Sequence, residues 1–138
     1  IYFSNNKNEF FSIDARTGTI KWAQSINSSL RPTIIENLIF TVSNEGYFFI
    51  IDDPTGNIIR ITDVLKNFKD KSEIKPIGFI HAKNKIYVSL SNGRIVTINS
   101  TTGIQEKITK INNSKISRPY VLNNNMYLIK DNALIKIE

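Results

Sequence analysis

One turn signature recurs three times along the 138-residue chain. Asp14, Asp52 and Asn99 each stand four residues before a glycine, namely Gly18, Gly56 and Gly103. Thr17, Thr55 and Thr102 immediately precede those glycines. A short Asx side chain accepts hydrogen bonds from the amides of the turn that follows it. The glycine supplies the positive φ that closes a tight hairpin loop. A catalytic carboxylate is needed once, whereas these residues return with every repeat. They are therefore read as turn-formers.

The repeat extends well beyond the turn. Asn8–Trp22, Gly46–Arg60 and Gly93–Lys107 align with one another, and Asn132–Glu138 begins a fourth copy. A matching apolar piece starts upstream of each, at Ile1, Ile39, Ile86 and Met126. Further upstream Pro32, Pro76 and Pro119 recur at intervals of 43 to 44 residues. Gly46 and Gly93 share a second slot, Pro54 lies inside a turn, and Gly78 alone among the glycines has no place in the pattern. A period of this length, built of short alternating strands, is that of propeller blades.

Within the second unit the expected strands are Pro32–Glu36, Leu38–Ser43, Tyr47–Asp52 and Asn57–Thr62. Tyr47–Asp52 is largely apolar, as suits a strand buried on both faces. Asp63–Phe68 has the pattern of one helical turn capped by Asp63. The expected fold class is all-β, a β-propeller segment of about three four-stranded antiparallel blades with partial first and last blades. The boundaries fall at 1–31 (partial), 32–75, 76–118 and 119–138 (partial). About three and a fifth units suggest the C-terminal arc of a ring of roughly seven or eight blades. Such an arc is expected to expose apolar blade faces and a strand edge.

Composition narrows the chemistry. There is no cysteine, so disulfides, thiolate nucleophiles and zinc–thiolate sites are excluded. His81 is the only histidine, which rules out histidine-pair metal ligation. It follows an apolar run and suits a turn or edge better than a triad. The glycines are too far apart for a phosphate-binding loop. Asp52 and Asp53 are adjacent and point to opposite sides of a strand end. No apolar run is long enough to span a bilayer as a helix. Net charge is +6, from 18 Lys+Arg against 12 Asp+Glu. Lysine outnumbers arginine and the aromatics lie within alternating strands, so a nucleic-acid partner is not expected.

The pattern Asx-x-x-Thr-Gly-x-x-x-Trp resembles the PQQ-like β-propeller repeat. Asp14, Thr17, Gly18 and Trp22 match it in full, while Arg60 and Lys107 replace the tryptophan in the next two units. In that family the tryptophan packs one blade against the next, and the resemblance implies that the stems of Arg60 and Lys107 cover the same surface. The degenerate, Asn- and Lys-rich repeats are most similar to the C-terminal blades of the propeller lipoproteins of the bacterial outer-membrane β-barrel assembly machinery. That resemblance implies a non-enzymatic protein-interaction scaffold. It would be periplasmic or outer-membrane associated, without cofactor or metal. It would join protein partners and the remaining blades of its own propeller, and reach the membrane through an anchor outside the segment. Two alternatives are a fragment of a PQQ-dependent quinoprotein dehydrogenase and a ligand-binding or sensor propeller. The dehydrogenases carry an Asp base, further acidic and Asn ligands and often a vicinal cysteine pair, and this chain has no cysteine.

Two surfaces stand out for protein binding. Arg31, Lys75 and Arg118 each immediately precede a blade-opening proline, which would place them on one face near the channel mouth. Such an arc suits an acidic partner. The long connection 62–75 carries Lys66, Lys69 and Lys71, with Leu65 and Phe68 expected to form an apolar spot between them.

Overall fold

The protein was examined as a computed structural model that describes residues 1–137. The fourth repeat, Asn132–Glu138, is thus described as far as Ile137; Glu138 lies outside the described residues. Fourteen strands form four antiparallel sheets, each built from consecutive strands. The first sheet contains β1 (Tyr2–Ser4), β2 (Phe10–Ile13) and β3 (Ile20–Gln24). The second contains β4 (Thr33–Ile35), β5 (Leu38–Val42), β6 (Tyr47–Asp52) and β7 (Ile58–Asp63). The third contains β8 (Pro76–Ala82), β9 (Lys85–Leu90), β10 (Arg94–Asn99) and β11 (Gln105–Lys110). The fourth contains β12 (Tyr120–Leu122), β13 (Asn125–Lys130) and β14 (Ala133–Ile137).

The strand period of two distributes the core. On β6, Phe48 and Ile50 pack toward the third sheet, with Val88, Leu90, Val96 and Ile98. The alternate residues Phe49 and Ile51 pack toward the first sheet, with Phe10, Trp22 and Ile26. Ile95, Ile116 and Leu128 link the third sheet to the fourth in the same manner. Sheets therefore stack face to face in chain order. The third strand of each full sheet is buried on both sides, which explains its nearly continuous apolar sequence. The outer strands β7 and β11 are mostly exposed and correspondingly more polar.

The connection after β7 departs from the helical expectation. Asp63 is the last residue of β7 and pairs with Tyr47. Its carboxylate accepts the Leu65 amide at 2.9 Å, so it holds an Asx turn. Phe68 N–H then returns to the Leu65 carbonyl at 2.9 Å. A single 3-10 turn forms further on, at Lys71–Glu73. The first strand of the second sheet is also shorter than Pro32–Glu36, because Glu36 takes a positive φ of 54° in the turn to β5.

Phe48 is fully buried between the second and third sheets. Phe48→Ala should lower unfolding stability by about 3–5 kcal/mol. Denaturant melts of the two proteins measure the difference, and a loss under about 1 kcal/mol would show that this seam is not packed as described.

Candidate functional site

The three signature turns share one hydrogen-bond scheme. Asp14 Oδ1 accepts the amides of Arg16 and Thr17, both at 2.9 Å. Asn99 Oδ1 accepts those of Thr101 and Thr102, both at 3.0 Å. Asp52 accepts the Thr55 amide at 3.1 Å and the Thr55 hydroxyl. Pro54 occupies the slot of the other amide and has none to give. Gly18, Gly56 and Gly103 follow with φ of 72°, 75° and 69°, and each amide bonds back to its Asx carbonyl. These turn amides, Thr17 first, hold the Asp14 carboxyl below the usual carboxylate range. The Asx side chains are thus committed to backbone.

The turns also join neighbouring sheets. Trp22 of β3 lies against Gly56, where an added Cβ would stand 2.5 Å from the indole. The indole Nε1 donates to the Asp53 carbonyl at 2.7 Å, and Gln24 Nε2 donates to the Gly56 carbonyl at 2.5 Å. One sheet further on, the Arg60 stem covers Gly103 and Thr62 Oγ1 donates to the Gly103 carbonyl at 2.6 Å. Arg60 therefore occupies the tryptophan slot, as the resemblance implied. Tyr2 adds a second link to Asp53, donating its hydroxyl to the carboxylate at 2.5 Å. Burial, then the Asp53 acceptor and its charge, push the Tyr2 hydroxyl up to about 12.

Gly78, the glycine outside the repeat pattern, also has a contact reason. Arg118 lies across it from the fourth sheet, and an added Cβ would collide with the Arg118 stem. The same guanidinium sits 4.8 Å from the Tyr120 ring centroid. Arg31, Lys75 and Arg118 are all exposed, just ahead of β4, β8 and β12. Lys75 has an acidic neighbour in Glu45. Burial opposes the Glu45 charge, but the Asn27 amide, its own backbone amide and the charge of Lys75 hold that carboxyl below its ordinary value.

The connection 62–75 needs correction. Leu65 is 1% exposed and packs beneath Gly46 in the central core. Phe68 is half-buried against the same core. The expected apolar spot is therefore an anchor that pins the loop down. Lys66 and Lys69 are exposed, whereas Lys71 is paired with Asp63 at 2.7 Å. Gly46 and Gly93 serve the loops that lead out of β7 and β11, accepting amides of Val64 and of Ile111 and Asn112 at their carbonyls.

A cleft of about 760 Å³ opens between the third and fourth sheets. Its walls include Lys107, Thr109, Ile95, Tyr87, Met126 and Ile137. His81 stands at its edge, stacked on Phe40 at 5.7 Å with Nε2 3.2 Å from Ser100 Oγ. Burial lowers the His81 pKa from the ordinary 6.5. The unfolded chain thus takes up this proton first, and folded stability falls as pH drops through 6.5 toward the lower folded midpoint. Histidine NMR titration should give a midpoint below 6.5, and His81→Phe should flatten the stability–pH curve in that window while keeping the stack. A midpoint at or above 6.5 would contradict this placement.

Gly56→Val should strain a positive φ and expel Trp22, costing about 3 kcal/mol or more. Trp22 is the sole tryptophan, so its emission should shift to the red before the global melt. Unchanged emission would argue against the contact.

Residues 1–62 match the family described as outer membrane protein assembly factor BamB. No curated protein sequence matches the chain. The structure is similar to BamB from Moraxella catarrhalis, with a TM-score of 0.73 and 16% identity over 99% of this chain and 42% of that one. The chain therefore spans under half the length of that protein. It is also similar to the computationally designed Ika4 protein, with a TM-score of 0.75 and 14% identity over 98% of this chain and 86% of the other. Quinohemoprotein alcohol dehydrogenase from Comamonas testosteroni matches with a TM-score of 0.64 and 15% identity, over 78% of this chain and 19% of that one. The chain carries PQQ-like repeats folded as β-propeller blades, similar to those of BamB.

Proposed function

We propose that this chain is part of a non-enzymatic scaffold that binds proteins in outer-membrane protein assembly, as a periplasmic or outer-membrane-associated propeller. The family match over residues 1–62 carries this reading. The matched stretch holds the complete Asp14–Trp22 signature and the Gly56 turn on which Trp22 docks. The commitment of Asp14 and Asp52 to turn amides supports it, since those carboxylates serve architecture. Arg31, Lys75 and Arg118 precede equivalent strands, and with Lys66 and Lys69 they form the basic surface offered to an acidic partner. The blades are taken as 1–31, 32–75, 76–118 and 119–138, the first and last being partial.

The full-length protein, recovered by crosslinking and affinity capture from its own cells, should bring down outer-membrane assembly components. Replacing Arg31, Lys75 and Arg118 together by glutamate should cut that recovery about tenfold. Capture without such components would remove the proposal. A dehydrogenase reading is favoured by the likeness to the Comamonas enzyme and to a europium-containing methanol dehydrogenase at a TM-score of 0.61. Dye-linked alcohol oxidation by the full-length protein with added quinone and calcium would establish it instead.

A further inference from the structure

The docking contacts follow a strict register. Trp22 pairs with Ser12 and Gln24 with Phe10. Arg60 pairs with Ile50 and Thr62 with Phe48. Lys107 pairs with Thr97 and Thr109 with Ile95. Each pair of outer-strand residues therefore holds the same position in its sheet. The first pair covers Gly56 and bonds its carbonyl; the second does the same at Gly103. The third pair, Lys107 and Thr109, instead lines the cleft of about 760 Å³. Among the described residues no turn glycine lies beneath it.

The other wall of that cleft is the end of β14 at Ile137. The strands equivalent to β14 are β2, β6 and β10, and each is hydrogen-bonded on both edges. Among the described residues β14 is paired on one edge only, with β13. An unused docking pair and an unused strand edge thus border one cleft. Its lining joins an apolar floor, Ile95, Met126 and Ile137, to the lysine and threonine that meet a turn glycine elsewhere.

We propose that this cleft is a docking site for a Thr-Gly turn and the strand that follows it. The strand adds to the free edge of β14, and the glycine packs beneath Lys107 with its carbonyl accepting the Thr109 hydroxyl. The occupant is a polypeptide segment of the same repeat type as Asp14–Gln24. The two filled copies of the contact define what fits: glycine, because a Cβ has no room under Trp22 or Arg60, and an extended strand beyond it.

A labelled peptide of residues 14–24, DARTGTIKWAQ, tests the site directly. Titrated with the 138-residue protein, it should bind saturably at concentrations below about 1 mM. The same peptide with Gly18→Val should bind about tenfold more weakly or worse, since its turn strains and meets the Lys107 stem. Thr109→Val in the protein, which keeps the β-branched shape, should weaken binding several-fold. Bound peptide should slow hydrogen exchange across Ala133–Ile137. Absence of saturable binding, equal affinity for the Gly18→Val peptide, or unaltered exchange in β14 would each overturn the assignment.

Discussion

The fold depends on a side chain of one sheet resting on a bare turn glycine of the next. The Asx carbonyl and side chain fix the turn, and the turn presents glycine backbone without a Cβ. A neighbouring stem can then approach to contact distance and hydrogen-bond the glycine carbonyl two residues further along its own strand. Burying an aromatic of this size is worth about 4–6 kcal/mol by area, as an upper bound. An arginine stem covers less apolar area but reaches the same glycine. The contact therefore survives the change from Trp22 to Arg60 because its geometry comes from the turn. Only the amount of burial comes from the side chain.

That dependence decides what was legible in the sequence. The turn slot, the second glycine slot and the prolines are fixed by local backbone needs, so they recur and can be read by spacing. β6 appears within the same limits, Tyr47–Asp52, because a doubly buried strand must be apolar throughout. Contacts between sheets have no local signature. Gly78 looked like a stray glycine until Arg118, forty residues away, was seen to lie across it. Leu65 and Phe68 looked like a surface spot because lysines surround them in sequence. In space they face inward and the lysines do not. One signal was available: Val64 and Leu65 are adjacent apolar residues just after a strand, which a solvent loop has little reason to carry.

The register shift in each sheet belongs to the same device. It falls between Ser12 and Ile13, between Ile50 and Ile51, and between Thr97 and Ile98. An extra residue on the outer strand increases local twist and re-aims the side chains beyond it. Trp22, Arg60 and Lys107 are the residues so re-aimed, paired with Ser12, Ile50 and Thr97 at the rim of each irregularity. Turn and bulge act together: one exposes the glycine and the other points the neighbour's stem at it.

Architecture of this kind leaves function to the rims. The carboxylates that recur are used up by turns, and the core faces are used up by packing. What varies between repeats is the charge on the loops ahead of β4, β8 and β12 and on the connection 62–75. Two of the lysines in these regions have acidic neighbours, Lys71 with Asp63 and Lys75 with Glu45. Exposed pairs of this sort contribute little to stability and are screened by salt. Their bearing is on recognition instead, because an acidic partner must compete with Asp63 and Glu45 for those two lysines but not displace a buried pair. Arg118 is positioned differently, with its stem on Gly78 and its guanidinium on Tyr120. Such a side chain has already given up much of its rotamer freedom, so binding through it loses less entropy than binding through a free lysine. Of the basic rim, Arg118 is the residue the fold has prepared to act as an anchor.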